Sequence, residues 1–174
     1  MPFGSILHQD SPASLAALPL ASFGGRPNGS GTTPNDTPYI EALNRALQLE
    51  QTAVALYAAK QRSSKATGRS GASALDRADQ HHKALRQLVR LIFAQRGFPD
   101  SDPGTLTAFT GTVAARMSRY MPPAVQDPVL GVSAQRVEFA LARRYRQVLT
   151  LAPESDRFII LQLLEQTTGY RDRL

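Results

Sequence analysis

The chain has 174 residues and no cysteine. That absence excludes disulfides, thiolate catalysis and cysteine-ligated zinc, and any metal site has to be assembled from carboxylate and imidazole. Basic residues are missing from the beginning: none precedes Arg26, so the short apolar run from Leu15 to Phe23 lacks the charged start of a signal peptide. No stretch approaches the length of a membrane span. A cytoplasmic protein is expected. Strand-like alternation is absent as well, which leaves an all-α reading.

What is present is a chain of ordinary apolar content, 42%, long enough for one sizeable core. Twenty Lys and Arg against fourteen Asp and Glu give a formal charge of +6, which favours anionic neighbours without naming one. Residues 1–37 are rich in small and turn-forming types, as in FGGRPNGSGTTPNDTP, and read as an N-terminal arm, either flexible or docked on a partner through its Leu and Phe residues. The bundle is expected over 38–174.

Four long helices are predicted there. The first is capped by Asp36 or Thr37 and runs to about Arg62, with Leu43, Leu47, Glu50, Val54 and Tyr57 on its inward face. The second spans about Ala72 to Arg96 and is stopped by Gly97 and Pro99; its inward face holds Leu75, Ala78, His82, Leu85, Val89 and Ile92, with Asp79 one turn before His82. About 34 residues follow, with a short helix from Leu106 to Arg119, enough to travel the length of a bundle. The third long helix runs from Pro128 or Val132 to Leu151, with Ala134, Glu138, Leu141, Tyr145 and Val148 inward. The fourth opens at Pro153 and runs almost to Leu174, with Phe158, Leu161, Glu165 and Thr168 inward.

Carboxylates interrupt these apolar stripes. A buried Glu50 must be neutralised, hydrogen-bonded or bound to a cation. The two halves of the chain also echo one another. LEQTAVALY and VEFALARRY both carry Glu followed seven residues later by Tyr, and DQHHKALRQL (79–88) aligns without gaps on EQTTGYRDRL (165–174).

This pattern resembles the ferritin-like superfamily, closest to its small bacterial members of unknown function. The resemblance implies a four-helix bundle with a long crossover between the second and third helices, and a site for two metal ions. Carried onto this chain, it makes Glu50 and Glu138 the lone carboxylates, Asp79 with His82 one acidic-x-x-His pair, and Glu165 the acid of the other pair. Thr168 stands where the second histidine would be. The implied metals are iron, one or two ions, or manganese, and the implied chemistry is ferroxidase-like oxidation by oxygen or peroxide at a non-haem carboxylate centre.

The alternative is a decayed, metal-free site in which a cation such as Arg86 or Arg144, or water, replaces the metal. The bundle would then be a structural or protein-interaction module acting through its arm and basic faces. An unpaired Glu50 would make Glu50→Gln or Glu50→Leu neutral or stabilising. His81 reads as a surface residue, since it lies about 100° around the helix from His82. Tyr57 and Tyr145 read as core residues whose hydroxyls bond a carboxylate. Lys60, Arg62, Lys65 and Arg69, and Arg143, Arg144 and Arg146, read as solvated helix surface. Without a groove-reading motif or an aromatic stacking pattern, nucleic acid is not an expected partner. Three assemblies are compatible with the sequence: a lone bundle, a pair through the first two helices, or a subunit of a larger particle.

Overall fold

The computed structural model describes residues 37–68, 70–100 and 106–169, and these are helical, with no strand among them. The proposed arm lies outside the described residues except for Thr37. Helix α1 (Pro38–Ala66) starts where the sequence places it: the Thr37 hydroxyl accepts from the Ile40 amide at 3.4 Å, and proline occupies the first turn. It is buried on nearly every side. Leu43, Leu47, Glu50 and Tyr57 face inward as expected, and so do Ile40, Ala46, Leu49, Ala53 and Leu56. That distribution makes α1 the central helix, and it packs most extensively on α2 (Ala72–Ala94) and α4 (Pro123–Leu151).

Helix α2 ends at Ala94, and Arg96, at φ 60°, takes the left-handed position that closes it. The Gly97 amide reaches back to the Ile92 carbonyl at 2.9 Å. Glycine is required at 97 for a steric reason, because a Cβ there would meet the Ile40 side chain at 2.8 Å. The expected short helix is α3 (Leu106–Met117), continued by a 3-10 turn at Ser118–Tyr120. It lies against α1 where Gly111 leaves room for Thr52 and Leu56.

Helix α4 begins earlier than predicted, at Pro123 instead of Pro128 or Val132, and carries Pro128 in its interior. Asp127 fastens these added turns to α1 by accepting from the Ser63 hydroxyl at 2.6 Å. The bonded pairs Ser63–Asp127, Tyr57–Glu138 and Glu50–Tyr145 show that α1 and α4 run antiparallel. Helix α5 (Glu154–Thr168) packs on α4. The predicted extension of this helix to Leu174 lies outside the described residues.

Two inward faces differ from expectation. On α5 the buried residues are Asp156, Ile160, Leu163 and Thr167, while Phe158 is 68% exposed and Leu161 and Glu165 also face solvent. The run FIILQLL is apolar all round, so periodicity does not choose a face. On α2 the buried side is Ala74, Arg77, Ala78, His81, Ala84, Leu88, Leu91 and Ile92. The helix is turned by about one residue, roughly 100°, from the predicted stripe.

Candidate functional site

The rotation of α2 decides what the centre of the bundle contains. It brings Arg77 and His81, one turn apart, against the two carboxylates that interrupt α1 and α4. Glu50 is 1% exposed, Arg77 3% and His81 4%. His81 bridges the two carboxylates: its Nδ1 lies 2.6 Å from Glu50 Oε2 and its Nε2 lies 3.2 Å from Glu138 Oε1. Arg77 Nη2 donates to the same Glu138 oxygen at 2.9 Å, and Arg77 Nη1 donates to Gln80 at 2.7 Å.

The two tyrosines complete the arrangement by crossing over. Tyr57, on the same helix as Glu50, donates to Glu138 Oε1 at 2.9 Å; Tyr145, on the same helix as Glu138, donates to Glu50 Oε1. The Glu-to-Tyr spacing of seven therefore serves an exchange between α1 and α4, each helix supplying a carboxylate to the other's phenol. Tyr57 also stacks on His81, with ring centroids 5.3 Å apart and planes inclined by 17°, and the Arg77 guanidinium lies 6.0 Å from the Tyr57 centroid.

Burial alone would lower the pKa of His81, but its bonds to Glu138 and Glu50 outweigh that and raise it from 6.5 to about 9. Glu138 shows the complementary balance. Burial would raise its pKa, and His81, Arg77 and Tyr57 together hold it below the ordinary carboxylate value. Tyr57 and Tyr145 are pushed upward, first by burial and then by the carboxylates they face, so both remain protonated donors. The raised pKa of His81 and the lowered pKa of Glu138 thus both favour the charged pair.

Of the five residues that the resemblance implied as metal ligands, the structure brings two, Glu50 and Glu138, to one place. Asp79, His82 and Glu165 are exposed. The donor set does not fit a pair of metal ions. Both Glu50 oxygens and Oε1 of Glu138 already accept from Tyr145, His81, Tyr57 and Arg77, and the Arg77 guanidinium places a fixed positive charge beside Glu138. Among the described residues no group of three or more His, Asp or Glu is placed to hold a metal ion.

In the sequence His81 reads as surface and Arg77 has no assigned role, whereas the structure buries both against the carboxylates. A signal was present in the charge pattern, because two carboxylates on inward faces require cations, and Arg77 and His81 lie at i and i+4 on one face. The aligned segment of α5 reinforces the point: position for position, Arg77 and His81 correspond to Leu163 and Thr167, which are also buried. Both halves keep the same inward face, and α2 alone supplies the charges. No protein-family model matches the chain, and comparison with curated proteins and with solved structures returns no match.

Proposed function

We propose that the chain is a metal-free bundle of ferritin-like architecture, in which Arg77 and His81 have taken the place of metal ions between Glu50 and Glu138, and that it serves as a structural or protein-interaction module. The observation that supports this reading most directly is the occupancy of the carboxylates: His81 lies within hydrogen-bond distance of both, and Arg77 holds Glu138 at 2.9 Å. Fixed cations supply the neutralisation that iron or manganese would otherwise supply. The helix order, with α3 lying between α2 and α4, supports the architecture. The contacts of such a module fall to the first 37 residues and to basic surfaces such as Arg143, Arg144 and Arg146 on α4.

The test is metal uptake by the full chain, loaded anaerobically with ferrous ion and separately with manganese, then desalted and analysed. No stoichiometric metal is expected in the wild type. Stoichiometric uptake that disappears in Glu50→Ala and Glu138→Ala would overturn the reading and restore the iron-oxidising one, with Asp79, His82 and Glu165 as the further ligands to be examined.

A further inference from the structure

Helix α3 turns its small residues inward and its large ones outward. Ala108, Gly111 and Ala115 are buried, and a Cβ at Gly111 would run into the Thr52 side chain. Leu106, Phe109, Val113 and Met117, three or four positions apart, form one stripe and are 41–78% exposed. An amphipathic surface helix carries polar residues on that side.

Helix α4 repeats the pattern beside it. The Gln126 side chain donates to the Ser118 carbonyl, Gly111 lies against Val137, and Thr107 shares a pocket with Arg143, so the two helices run side by side and antiparallel. Val125, Val132 and Phe139, seven apart, are exposed on α4, and the exposed Arg136 and Arg143 stand on the same outer stripe. An open groove between the helices joins Leu106 to Val132, Arg136, Phe139 and Arg143, with threonine, serine and glutamine also in its lining, and so puts both stripes on one face.

The charge of this face has one sign. Residues 106–151 contain six arginines and two acids, and both acids are engaged by other helices: Asp127 accepts from Ser63, and Glu138 accepts from Tyr57 and Arg77. Arg136 and Arg143 make no ion pair among the described residues. Arg144 beside them is held below its ordinary pKa, first by burial and then by the charges of Arg45 and Arg143. A second copy seated here would set arginine against arginine. Protein interfaces also keep charge out of their centres, whereas Arg136 and Arg143 alternate with Val132 and Phe139 along one stripe. That order suits a phospholipid surface, where apolar side chains enter the acyl boundary and each arginine lays its stem along them and carries its guanidinium to a separate phosphate.

We propose that the outer face of α3 and α4 docks on an anionic phospholipid bilayer, with Leu106, Phe109, Val113 and Phe139 inserted and Arg136 and Arg143 paired to lipid phosphates. The inference goes beyond the interaction-module reading and stands whether or not the central cluster holds metal, since it uses neither Glu50 nor His81. Co-sedimentation of the full chain with vesicles of phosphatidylcholine, alone or with an equal part of phosphatidylglycerol, tests it. The anionic vesicles should bind at least about tenfold more tightly than the neutral ones. Phe109→Ser with Phe139→Ser, and Arg136→Gln with Arg143→Gln, all at exposed positions, should each weaken that binding about tenfold or more. Lys83→Gln with Arg90→Gln removes the same charge from the exposed side of α2 and should change it less than about threefold. Binding unchanged in both face variants, or weakened equally by the α2 variant, would overturn the proposal. So would a dimer in sedimentation that the two serine changes dissociate, which would give the face to a second copy. Tighter binding to a soluble amphipathic peptide of leucine and glutamate than to the vesicles would likewise overturn it, in favour of an acidic protein.

Discussion

Two buried carboxylate sites in this bundle solve the same electrostatic problem differently. At the centre, Glu50 and Glu138 are met by ionic partners, His81 and Arg77, with tyrosine hydroxyls filling further lone pairs. Asp156, in the first turn of α5, is satisfied by neutral donors: Tyr39 at 3.0 Å, Gln95 at 3.2 Å and the Ser155 hydroxyl at 2.8 Å. The helix N-terminus adds a favourable dipole there. A carboxylate that can borrow a helix end and solvent-edge amides needs no counter-ion. Two carboxylates brought together at mid-helix have no such help and draw cations into the core. The ionic site should therefore be the more fragile of the two when one partner is removed.

The largest effect is expected for His81→Leu, which leaves Glu50 and Glu138 facing each other with only Arg77 for charge. Loss of a partner from a buried ionic group typically costs about 3–5 kcal/mol. Urea denaturation of the purified variant measures it, and a loss under 1 kcal/mol would show that the cluster is far more hydrated than its burial indicates. Glu50→Leu should also destabilise, in contrast to the neutral or stabilising outcome expected of an unpaired Glu50. Its oxygens bond Tyr145 and His81, and removal strands both.

The second prediction concerns pH. The groups facing His81 are Glu50, Glu138, Arg77 and Tyr57; burial would lower its pKa, and the two carboxylates outweigh that and raise it from 6.5 to about 9. The folded state thus binds the imidazole proton more tightly than the unfolded chain does. The stabilisation is fully present below about pH 6.5 and is lost as pH rises through about 9, amounting to roughly 3 kcal/mol when complete. Denaturation midpoints measured between pH 6 and 10 should fall in the wild type and flatten in His81→Gln. A midpoint that holds constant across that range would mean that folding leaves the His81 pKa at its unfolded value, and a midpoint that rises from about pH 6 to 7.5 would mean that His81 is neutral in the folded protein.

A third prediction separates pairing from simple packing. Arg77→Met breaks one ion pair and Glu138→Leu breaks that pair and the contact with His81, whereas the double variant removes the Arg77–Glu138 pair whole and leaves His81 with Glu50 in balance. The double variant should be more stable than the sum of the singles implies, with a coupling of about 2 kcal/mol. Additivity within 0.5 kcal/mol would instead assign the Arg77 contribution to packing of its alkyl stem.

The difference between the sites also explains what could be read from the sequence. The helices were legible because caps, glycines and prolines act locally: Thr37, Gly97 and Pro153 mark ends that the structure keeps to within a few residues. The inward faces of α1 and α4 were legible because apolar residues outline them on both sides of Glu50 and Glu138. The face of α2 was not, since Leu75, Leu85 and Val89 compete with Ala74, Ala84 and Leu88, and the tie is broken by ionic bonds to helices remote in sequence. Periodicity weighs a buried arginine as polar and so votes against the face that the carboxylates select. The face of α5 failed for a related reason, because Asp156 turns inward only when Tyr39 and Gln95, more than 60 positions away, are there to receive it.

The smallest effect tests the neutral site. Asp156→Asn keeps the size and one carbonyl acceptor, so Tyr39 and Gln95 can still donate to that oxygen while the amide displaces the bond from Ser155. Exchange of one hydrogen bond among neutral partners, with part of the helix-end charge interaction lost, is expected to cost about 1 kcal/mol. Adding Ser155→Ala should then change little, because its hydroxyl no longer has a carboxylate to reach. If Asp156→Asn instead cost as much as His81→Leu, the distinction between a carboxylate held by neutral donors and a pair held by cations would fail, and Tyr39 and Gln95 would have to be regarded as placed by the charge itself.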